Sequence, residues 1–264
     1  MAGTGTHETE VGVSIESRVA TVTLRRPPHN LLTEPSLRSL ADAVEGLAGR
    51  AHAAVLCSEG RSFCAGANFR SAEAPDPTRA TSFKESTGAF YVQAARIFGS
   101  PVPLVAAVQG AAVGAGFGLA LACDLRVVGE GGWFQANFVR LGIHPGFALT
   151  LTLPRLVGPG RAAELFLTGR RVAAQEAASL GLAEKTVPAG DELRVALELA
   201  HELAAAAPLA ASATRATLRA GIVEEAREAM RHELEEQAAL AGTADAHEGV
   251  SAMLEKRAPR FEGR

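Results

Sequence analysis

The amino-acid sequence predicts an α/β core followed by a helical C-terminal region. Over the first two thirds of the 264 residues, short β-branched or apolar runs alternate with segments of helical spacing. From Ala162 onward, alanine-rich helical patterns dominate, interrupted by one strand-like run. Hydrophobic residues make up 47% of the chain, which is enough for a sizeable core. This order of elements is typical of a sheet layered with helices.

Composition and charge exclude several classes of protein. The formal net charge is -3 and the Lys and Arg residues are scattered, which argues against a nucleic-acid-binding face. The longest apolar segments, 102–108 and 113–123, are too short and too rich in glycine to span a bilayer. Residues 1–10 lack an apolar stretch and are predicted to form a loose tail rather than a signal peptide. An odd number of cysteines without a CxxC pair favours reduced thiols in a cytoplasmic protein, here Cys57, Cys64 and Cys123.

The first half of the chain predicts a strand pair, a helix, a buried strand and a long loop. Ser17 and Arg18 form the turn of the strand pair, and two prolines then end the second strand. Thr33 suits the N-cap of the helix, whose apolar residues recur every three or four positions. The predicted elements are strands at 11–16, 19–25 and 53–57, a helix at 35–47 and a mobile surface loop at 71–81.

The second half predicts strands that lead into glycine-rich and alanine-rich segments. A continuous apolar strand precedes the glycine run, and a helix continues from it. The predicted elements are a helix at 88–98, strands at 103–108, 125–128 and 183–187, a helix at 119–123, and helical segments at 162–167, 176–179, 193–206, 211–220, 224–240 and 248–256.

Two turns of small residues are candidates for binding a ligand or an anion through the backbone. Residues 62–68 follow the buried strand, and residues 110–118 lie between a strand and a helix. Small residues let the backbone approach a ligand closely, and a helix N-terminus leaves N–H groups free to donate. An ordinary strand-to-loop turn is the alternative interpretation of the first segment. A dinucleotide fingerprint fails in the second segment because Leu119 stands where a third glycine is needed.

A third candidate segment, 134–146, places polar residues among apolar ones. His144 is its one side chain with an ordinary pKa near neutrality, and a packed loop with a hydrogen-bonded histidine is the alternative interpretation. The sequence has no Gly-x-Ser-x-Gly elbow and no Gly-Lys-Ser/Thr phosphate loop. His201 and His232 each precede a glutamate, but neither has the second histidine of a zinc helix. No metal ligands and no permanently bound cofactor are therefore predicted.

Taken together, the order and spacing of these segments resemble the crotonase (enoyl-CoA hydratase/isomerase) superfamily. The resemblance covers almost the whole chain and is carried by residues 24–30, 63–68, 103–110, 114–116, 119–126, 141–146, 153–158, 167–170 and 255–261. It implies a crotonase spiral of ββα units with C-terminal helices that form a homotrimer, often a dimer of trimers. The implied divisions are a flexible tail at 1–10, an acyl-CoA-binding core at 11–200 and a helical oligomerisation region at 201–264.

The resemblance also implies a site for an acyl-coenzyme A thioester. The thioester oxygen would accept hydrogen bonds from the backbone N–H groups of Ala67 and Ala115, the oxyanion hole of the family. The adenine and pantetheine would lie against residues 28–30 and 64–67, with the Ala65 carbonyl on the adenine and Lys256 on the phosphates. The predicted substrate-binding residues are Pro28, His29, Cys64, Ala65, Gly66, Gly114, Phe138, Lys256 and Phe261.

The chain departs from the family pattern where hydratases carry their two glutamates. By the resemblance, those positions are Gly118 and Phe138, and the aspartate position of some isomerases and dehalogenases is Gly146. Acid–base catalysis needs a titratable group within reach of the substrate. The remaining candidates are His144, which we expect to face the acyl pocket as a proton-transfer group, together with Asn137 and Gln135.

The sequence thus favours an acyl-CoA enzyme that stabilises an enolate, of lyase or isomerase type, in fatty-acid or related metabolism. Three phenylalanines, Phe117, Phe138 and Phe147, would favour an apolar acyl chain. The loss of both glutamates leaves two alternatives open: a non-catalytic acyl-CoA-binding homologue, or a crotonase-fold decarboxylase or thioesterase. The expected ligand is an acyl-CoA, with no nucleic acid and no membrane as partner.

Overall fold

The computed structural model of the protein describes residues 10–68 and 80–264. Of the predicted segments, the tail at 1–10 lies outside these residues except for Glu10, and so does the loop at 71–81 except for its last two residues. Those two residues already belong to a helix that begins at residue 80. The expected mobility of both segments stays a prediction.

Nine strands and ten α-helices are present in the described part of the chain. The strands are β1 Val11–Glu16, β2 Val19–Leu24, β3 Ala53–Ser58, β4 Leu104–Val108, β5 Ala111–Val113, β6 Leu125–Gly129, β7 Trp133–Gln135, β8 Arg171–Ala173 and β9 Lys185–Val187. The helices are α1 Glu34–Glu45, α2 Ala80–Phe98, α3 Ala115–Ala122, α4 Leu149–Val157, α5 Pro159–Thr168, α6 Ala174–Ser179, α7 Glu192–Ala205, α8 Pro208–Leu218, α9 Ile222–Leu240 and α10 Ala244–Glu255. A short 3-10 helix spans Phe138–Leu141.

A six-stranded sheet forms the centre, in the order β1-β2-β3-β4-β6-β9. β1 is antiparallel to β2, and the other neighbours are parallel. Alternate residues of β3 face opposite layers: Leu56 joins the core beneath α1 and α2, whereas Val55 packs towards α7. Both faces of the sheet are therefore covered, which explains why β3 and β4 are apolar throughout.

A second sheet of three strands, β5-β7-β8, stands beside the first. Its strand β5 lies inside the glycine-rich run, so β4, β5 and α3 together form one ββα unit. The strands β5, β7 and β8 were not predicted, because their three residues each are too few to show an alternating pattern. Residues 119–123, predicted to continue a helix out of the glycine run, correspond to the second half of α3, which begins at Ala115 and ends at Ala122.

Helix α2 shows why a glycine misleads sequence reasoning. The predicted helix started at Gly88, whereas the helix begins at Ala80. A Cβ on Gly88 would lie 3.5 Å from Leu234 Cδ2, an ordinary van der Waals distance, so the residue faces α9. The glycine therefore lies inside α2 and does not mark a helix end.

The C-terminal helices close one side of the core. Helix α9 packs on α2, and α10 packs on the 3-10 helix, where Gly249 allows contact with the Leu141 backbone. The boundary predicted between residues 200 and 201 falls inside α7, whose buried Ala196 and Ala200 belong to one packed face. We therefore place the start of the C-terminal region after α7. None of the described helices is long and apolar enough to cross a membrane.

Candidate active site

A cavity of about 440 Å³ opens where the two small-residue turns meet α2, the 3-10 helix and α10. Apolar side chains form most of its wall, with a few polar groups among them. Such a composition is typical of small-molecule sites. The lining residues are His29, Leu31, Ala65, Gly66, Ala67, Asn68, Phe83, Thr87, Phe90, Tyr91, Val113, Gly114, Ala115, Asn137, Phe138, Leu141, Ile143, Gly146, Phe147, Gln237, Met253 and Leu254.

The first small-residue turn is held by two backbone bridges. On one side, Cys64 N donates to Ala111 O at 3.0 Å, and Cys64 O accepts from Val113 N at 3.0 Å. On the other side, Leu32 N donates to Gly66 O, at 2.9 Å. The chain at 64–67 is therefore fixed between the loop after β2 and strand β5.

The second turn places the start of α3 directly against the first. Gly114, at φ 54°, donates its N–H to Gln135 O at 2.9 Å, and α3 begins with the next residue. A Cβ on Gly116 would lie 2.0 Å from Cys64 O, so only glycine permits this contact. The backbones of the two turns therefore lie as close to each other as steric contact allows.

The backbone N–H groups of Ala67 and Ala115 lie on the cavity wall and have no hydrogen-bond acceptor among the described residues. The bridge between Leu32 and the first turn uses the carbonyl of Gly66 and the N–H of Asn68. The N–H of Ala67, which lies between them, takes no part in the bridge. Ala115 is the first residue of a helix, where N–H groups have no intrahelical acceptor. The positive end of the helix dipole adds to the field at this point.

The polar side chains at the far wall form an ordered chain. Gln237 donates through Nε2 to the carbonyl oxygen of His144 at 2.9 Å, and its Oε1 accepts from the hydroxyl of Tyr91 at 2.9 Å. Burial raises the pKa of Tyr91, and the nearby carboxyl of Glu233 adds to the effect. The phenol therefore stays protonated across the ordinary pH range and acts as a hydrogen-bonding group.

The positions where the resemblance implies carboxylates in relatives are filled by aromatic rings. A Cβ on Gly118 would lie 2.6 Å from Cβ and Cδ1 of Phe147. A Cβ on Gly146 would lie 2.0 Å from the hydroxyl oxygen of Tyr91. Phe138 itself lines the cavity. The described wall thus offers aromatic side chains, two phenylalanines and the Tyr91 phenol, where carboxylates would stand.

His144 does not lie where we expected. It is absent from the cavity wall, its Nδ1 lies 2.8 Å from Pro145 O, and its ring packs 6.0 Å from that of His232. Only the backbone carbonyl of His144 contributes to the site, because it accepts a hydrogen bond from Gln237 and so orients that side chain. The expectation of an imidazole facing the acyl pocket is therefore corrected: the loop turns the ring outward, towards α9.

The other residues of the third segment divide between the cavity and the packing around it. Asn137 lines the cavity and has no side-chain hydrogen bond in the described structure. Gln135 lies outside, where its Nε2 donates to Gly169 O at 2.6 Å. Phe117 was expected beside the acyl chain, but its ring packs on Phe134 with centroids 5.0 Å apart. Phe138 and Phe147 do line the cavity.

Five of the predicted substrate-binding residues line the cavity, and four do not. The five are His29, Ala65, Gly66, Gly114 and Phe138. Cys64 is fully buried behind the first turn and does not line the cavity, and burial raises the pKa of its thiol to about 12. The remaining three, Pro28, Lys256 and Phe261, lie on the exposed surface outside the wall.

Sequence reasoning missed the contribution of α2 and the last two helices. Thr87, Tyr91 and Gln237 supply much of the polar wall, and Met253 and Leu254 supply apolar surface. The sole tyrosine of the chain, lying in an apolar helix, was the one available signal. No group of three metal-ligating side chains occurs in the ranges that the structure describes.

The fold and the paired turns define the crotonase class, and comparison with known proteins agrees. The family model described as enoyl-CoA hydratase/isomerase matches residues 14–264. The crystal structure of enoyl-CoA hydratase/isomerase from Pseudoalteromonas atlantica T6c is similar, with TM-score 0.81, 29% identity, and coverage of 96% of this chain and 100% of that one. Enoyl-CoA hydratase from Bacillus halodurans gives TM-score 0.83, 26% identity, and coverage of 92% and 100%.

A curated relative extends the similarity in sequence. The 2,3-dehydroadipyl-CoA hydratase of Escherichia coli (strain K12) is 36% identical over 258 residues, which is 97% of this chain and 99% of the relative. The chain therefore belongs to the enoyl-CoA hydratase/isomerase family, and it is an acyl-CoA enzyme of that type.

Proposed function

We propose that the protein holds the carbonyl oxygen of an acyl-CoA thioester between the N–H groups of Ala67 and Ala115. The observation that carries the proposal is that these two amides, unused by the described structure, lie on one cavity wall. A thioester that loses a proton or a carboxylate at its α-carbon, or is attacked at its β-carbon, develops enolate charge on this oxygen. Donors placed in advance stabilise such charge, each by roughly 3 kcal/mol.

The reaction is not the hydration that a pair of glutamates catalyses. Gly118 and Phe138 offer no carboxylate, and the described cavity wall contains no Asp, Glu, Lys or Arg. Asn137, with its amide unbonded, orients a water molecule or a polar group of the substrate but cannot take a proton. His144, the earlier candidate for proton transfer, is turned away and takes no part.

The coenzyme A moiety lies at the mouth formed by His29 and Ala65, with the Ala65 carbonyl on the adenine. Lys256 and Phe261 follow the two cavity-lining residues of α10, and both are exposed. A phosphate group is a suitable partner for the free ammonium group of such a lysine. The acyl chain extends towards the rings of Phe138 and Phe147, which favour apolar groups.

The protein assembles as a homotrimer or as a dimer of trimers through its C-terminal region. The feature that supports this proposal is α8, none of whose residues is buried and whose Leu209 and Leu218 are 89% and 80% exposed. A contact between subunits through α8 would cover these leucines, and contiguous apolar surface is what such contacts bury. We further propose a cytoplasmic enzyme of fatty-acid or related acyl-CoA metabolism, without a permanently bound cofactor.

Turnover and binding of crotonyl-CoA test the proposal together. We expect measurable binding by calorimetry, but loss of enone absorbance far slower than in a relative with both glutamates, measured side by side. Binding without any turnover of this or other thioesters would favour the non-catalytic alternative. A failure of the folded protein to bind any CoA thioester would contradict the proposed function.

Decarboxylation is the second candidate, and the carboxylate-free wall favours it. In a malonyl-type thioester, the bond between the α-carbon and its carboxylate breaks, CO₂ leaves, and the electron pair moves onto the thioester oxygen. A proton from water then adds to the α-carbon. This sequence needs the two amides of the oxyanion hole but no base from the protein. Release of CO₂ from methylmalonyl-CoA would support it, and an unchanged thioester would exclude it.

A further inference from the structure

Helix α3, whose first residue is Ala115, has few means of its own to hold its position. It is eight residues long, entirely buried and apolar, and it contains Gly116 and Gly118. No side chain caps its N-terminus, and its C-cap residue, Cys123, has an extended backbone. So short a helix with two glycines has little intrinsic stability. Its position therefore depends on contacts at its two ends.

The C-terminal end of α3 is held by guanidinium groups. The carbonyl oxygen of Ala122, the last residue of the helix, accepts a hydrogen bond from Arg219 Nη2 at 3.0 Å. The next carbonyl, that of Cys123, accepts from Nη1 of the fully buried Arg126 at 3.1 Å. The last carbonyls of a helix have no intrahelical donor, and cations there interact favourably with the negative end of the helix dipole. The two arginines thus take the place of a C-cap.

Of these two cations, Arg219 comes from the surface of the protein. It follows the last residue of α8, and no residue of that helix is buried. Its Nη1 lies 3.1 Å from Asp124 Oδ1, and its Nη2 lies 3.5 Å from Phe98 O at the end of α2. Arg219 therefore joins α8 to the ends of α2 and α3, and both of those helices contribute residues to the cavity wall.

Arg215, one turn earlier in α8, provides a matched comparison. Its Nε donates to Asp124 Oδ2 at 3.0 Å, and its Nη1 donates to Ser100 O at 2.7 Å. It shares with Arg219 the charge and the carboxylate partner, and the two side chains are similarly exposed, at 16% and 17%. Among the described contacts, however, Arg215 makes no hydrogen bond to α3. A difference between the two arginines therefore isolates the contact with α3.

The other end of α3 carries the Ala115 amide. At 1.5 Å per residue, this amide lies roughly 10 Å along the helix from the carbonyl of Ala122. A helix this short moves as one body, so a shift at its C-terminal end changes the direction of the Ala115 N–H relative to that of Ala67. Such alignment matters, because a displacement of about 1 Å in a site can lower a rate by about 10²-fold.

We propose that Arg219 is a positioning residue for the oxyanion hole: by holding the carbonyl end of α3, it keeps the Ala115 N–H directed at the thioester oxygen. The inference rests on the proposed function, because it assumes that this oxygen lies between the two amides. It adds a residue outside the cavity wall that controls how strongly the thioester carbonyl is polarised. It also connects the site to α8, the helix that we propose for contacts between subunits.

Infrared difference spectroscopy of bound hexanoyl-CoA tests the inference. The probe carries carbon-13 at its thioester carbonyl, so that subtracting the spectrum of the unlabelled complex isolates this one C=O stretch. Hydrogen bonds to the oxygen polarise the C=O bond and lower its stretching frequency relative to the free thioester, and we expect such a shift in the native protein. In Arg219→Met the shift should fall to about half, because the Ala67 donor remains whereas the Ala115 donor is misdirected.

Arg215→Met is the matched control. It removes the same charge from the same helix, yet it should keep the native shift. Circular dichroism and saturating thioester ensure that only folded, fully bound protein is compared, so a lower stability does not by itself change the shift. Arg219→Gln, whose shorter side chain does not reach Ala122 O, replaces the methionine variant if that variant is unfolded.

Two outcomes overturn the inference alone: the native shift persists when Arg219 is replaced, or it falls equally in Arg215→Met. If the native complex shows no shift, or the folded native protein binds no hexanoyl-CoA, the oxyanion hole of the proposed function has failed, and the inference with it.

Discussion

The ring of Phe147 fills the space that a side chain at position 118 would occupy. A Cβ on Gly118 would lie 2.6 Å from both Cβ and Cδ1 of Phe147. Phe147 reaches this position with φ 62°, and Ala148 follows at φ 54°, two left-handed residues in succession. Such conformations are costly for residues other than glycine and persist only where neighbours hold them. Glu233 supplies that support by accepting from Ala148 N at 2.8 Å.

The contact between these residues predicts that Gly118 tolerates no side chain. Gly118→Ala should lower the free energy of unfolding by about 1–3 kcal/mol, because the added methyl overpacks the core. Urea denaturation measures the change. Gly160→Ala is the control, since nothing lies within 4 Å of a Cβ there and the residue is in α5. The control should be neutral or stabilising by up to about 1 kcal/mol. Equal effects of the two changes would contradict the overlap with Phe147.

The buried carboxyl of Glu233 predicts a pH-dependent stability. Burial raises its pKa from the ordinary 4.5, although hydrogen bonds from Thr150 and Ala148 oppose the shift. As pH rises above 4.5, the carboxyl ionises first in the unfolded chain, so the contribution of this group to stability declines until the folded pKa is passed. The decline should be absent in Glu233→Gln, whose side chain does not titrate.

Urea denaturation of both proteins between pH 4 and pH 8 checks this expectation. Glu233→Gln should also be less stable throughout, because an amide has one acceptor oxygen, whereas the carboxylate accepts from Ala148 N, Thr150 N and Thr150 Oγ1. If the difference in stability between the two proteins were constant over this range, the raised pKa would be wrong.

Most of the main sheet could be predicted from sequence, because five of its six strands are apolar or β-branched runs of five or six residues. The predicted strand at 11–16 agrees with β1 at both ends, and β3 extends one residue beyond its prediction. The three-residue strands β5, β7 and β8 could not be recognised, because their pairing is set by tertiary contacts and not by a local pattern.

The candidate site divides in the same way between local and distant determinants. The turns carrying Ala67 and Ala115 are encoded locally by small residues and glycines, so sequence alone could mark them. Gln237 reaches the cavity from a position 146 residues after its partner Tyr91, and no local pattern contains that pairing. The outward turn of His144 likewise depends on α9, which the third segment cannot show.

Removing the N–H of Ala115 tests the oxyanion hole. Ala115→Pro should lower kcat for any substrate that the protein turns over by about 10²–10³-fold, the loss typical of one missing donor. Proline is suited to the first position of a helix, and this N–H has no acceptor in the described protein, so the fold should be kept. Ala115→Gly retains the N–H and should stay within a few-fold of the native kcat. Similar losses in both variants would indicate a disturbed start of α3 and not a missing donor.

The unpaired hydroxyl of Thr87 also predicts an unusual effect on stability. Thr87→Val removes a buried group that has no partner, so the free energy of unfolding of the ligand-free protein should be unchanged or rise by up to about 1 kcal/mol. Thr152→Val removes a hydroxyl that donates to Ala148 O, and it should cost about 1–2 kcal/mol. Thermal and urea denaturation give both values. A larger loss at Thr87 than at Thr152 would show that its hydroxyl is satisfied in solution.

The carboxylate of Asp124 forms ion pairs with two arginines near the C-terminal end of α8. This arrangement predicts that a second substitution can suppress the effect of removing the carboxylate. The Oδ2 atom of Asp124 lies 3.0 Å from Arg215 Nε, and its Oδ1 lies 3.1 Å from an Arg219 guanidinium nitrogen. Burial lowers the pKa of Arg219, and the neighbouring charge of Arg215 adds to this effect, so the two cations are tolerated only beside the carboxylate. Asp124→Asn should therefore cost roughly 3 kcal/mol of unfolding free energy.

A second substitution, Arg219→Met, should then restore part of the stability that Asp124→Asn removes. In the Asp124→Asn background, Arg219→Met removes one of two repelling, poorly solvated cations and should raise stability, whereas the same change in the native protein should lower it. A double-mutant cycle in urea measures this reversal of sign. If the two losses were simply additive, the carboxylate would not be the group that holds both arginines. The apolar methionine would replace most of the packing of the arginine stem, so the reversal reports on charge and not on lost volume.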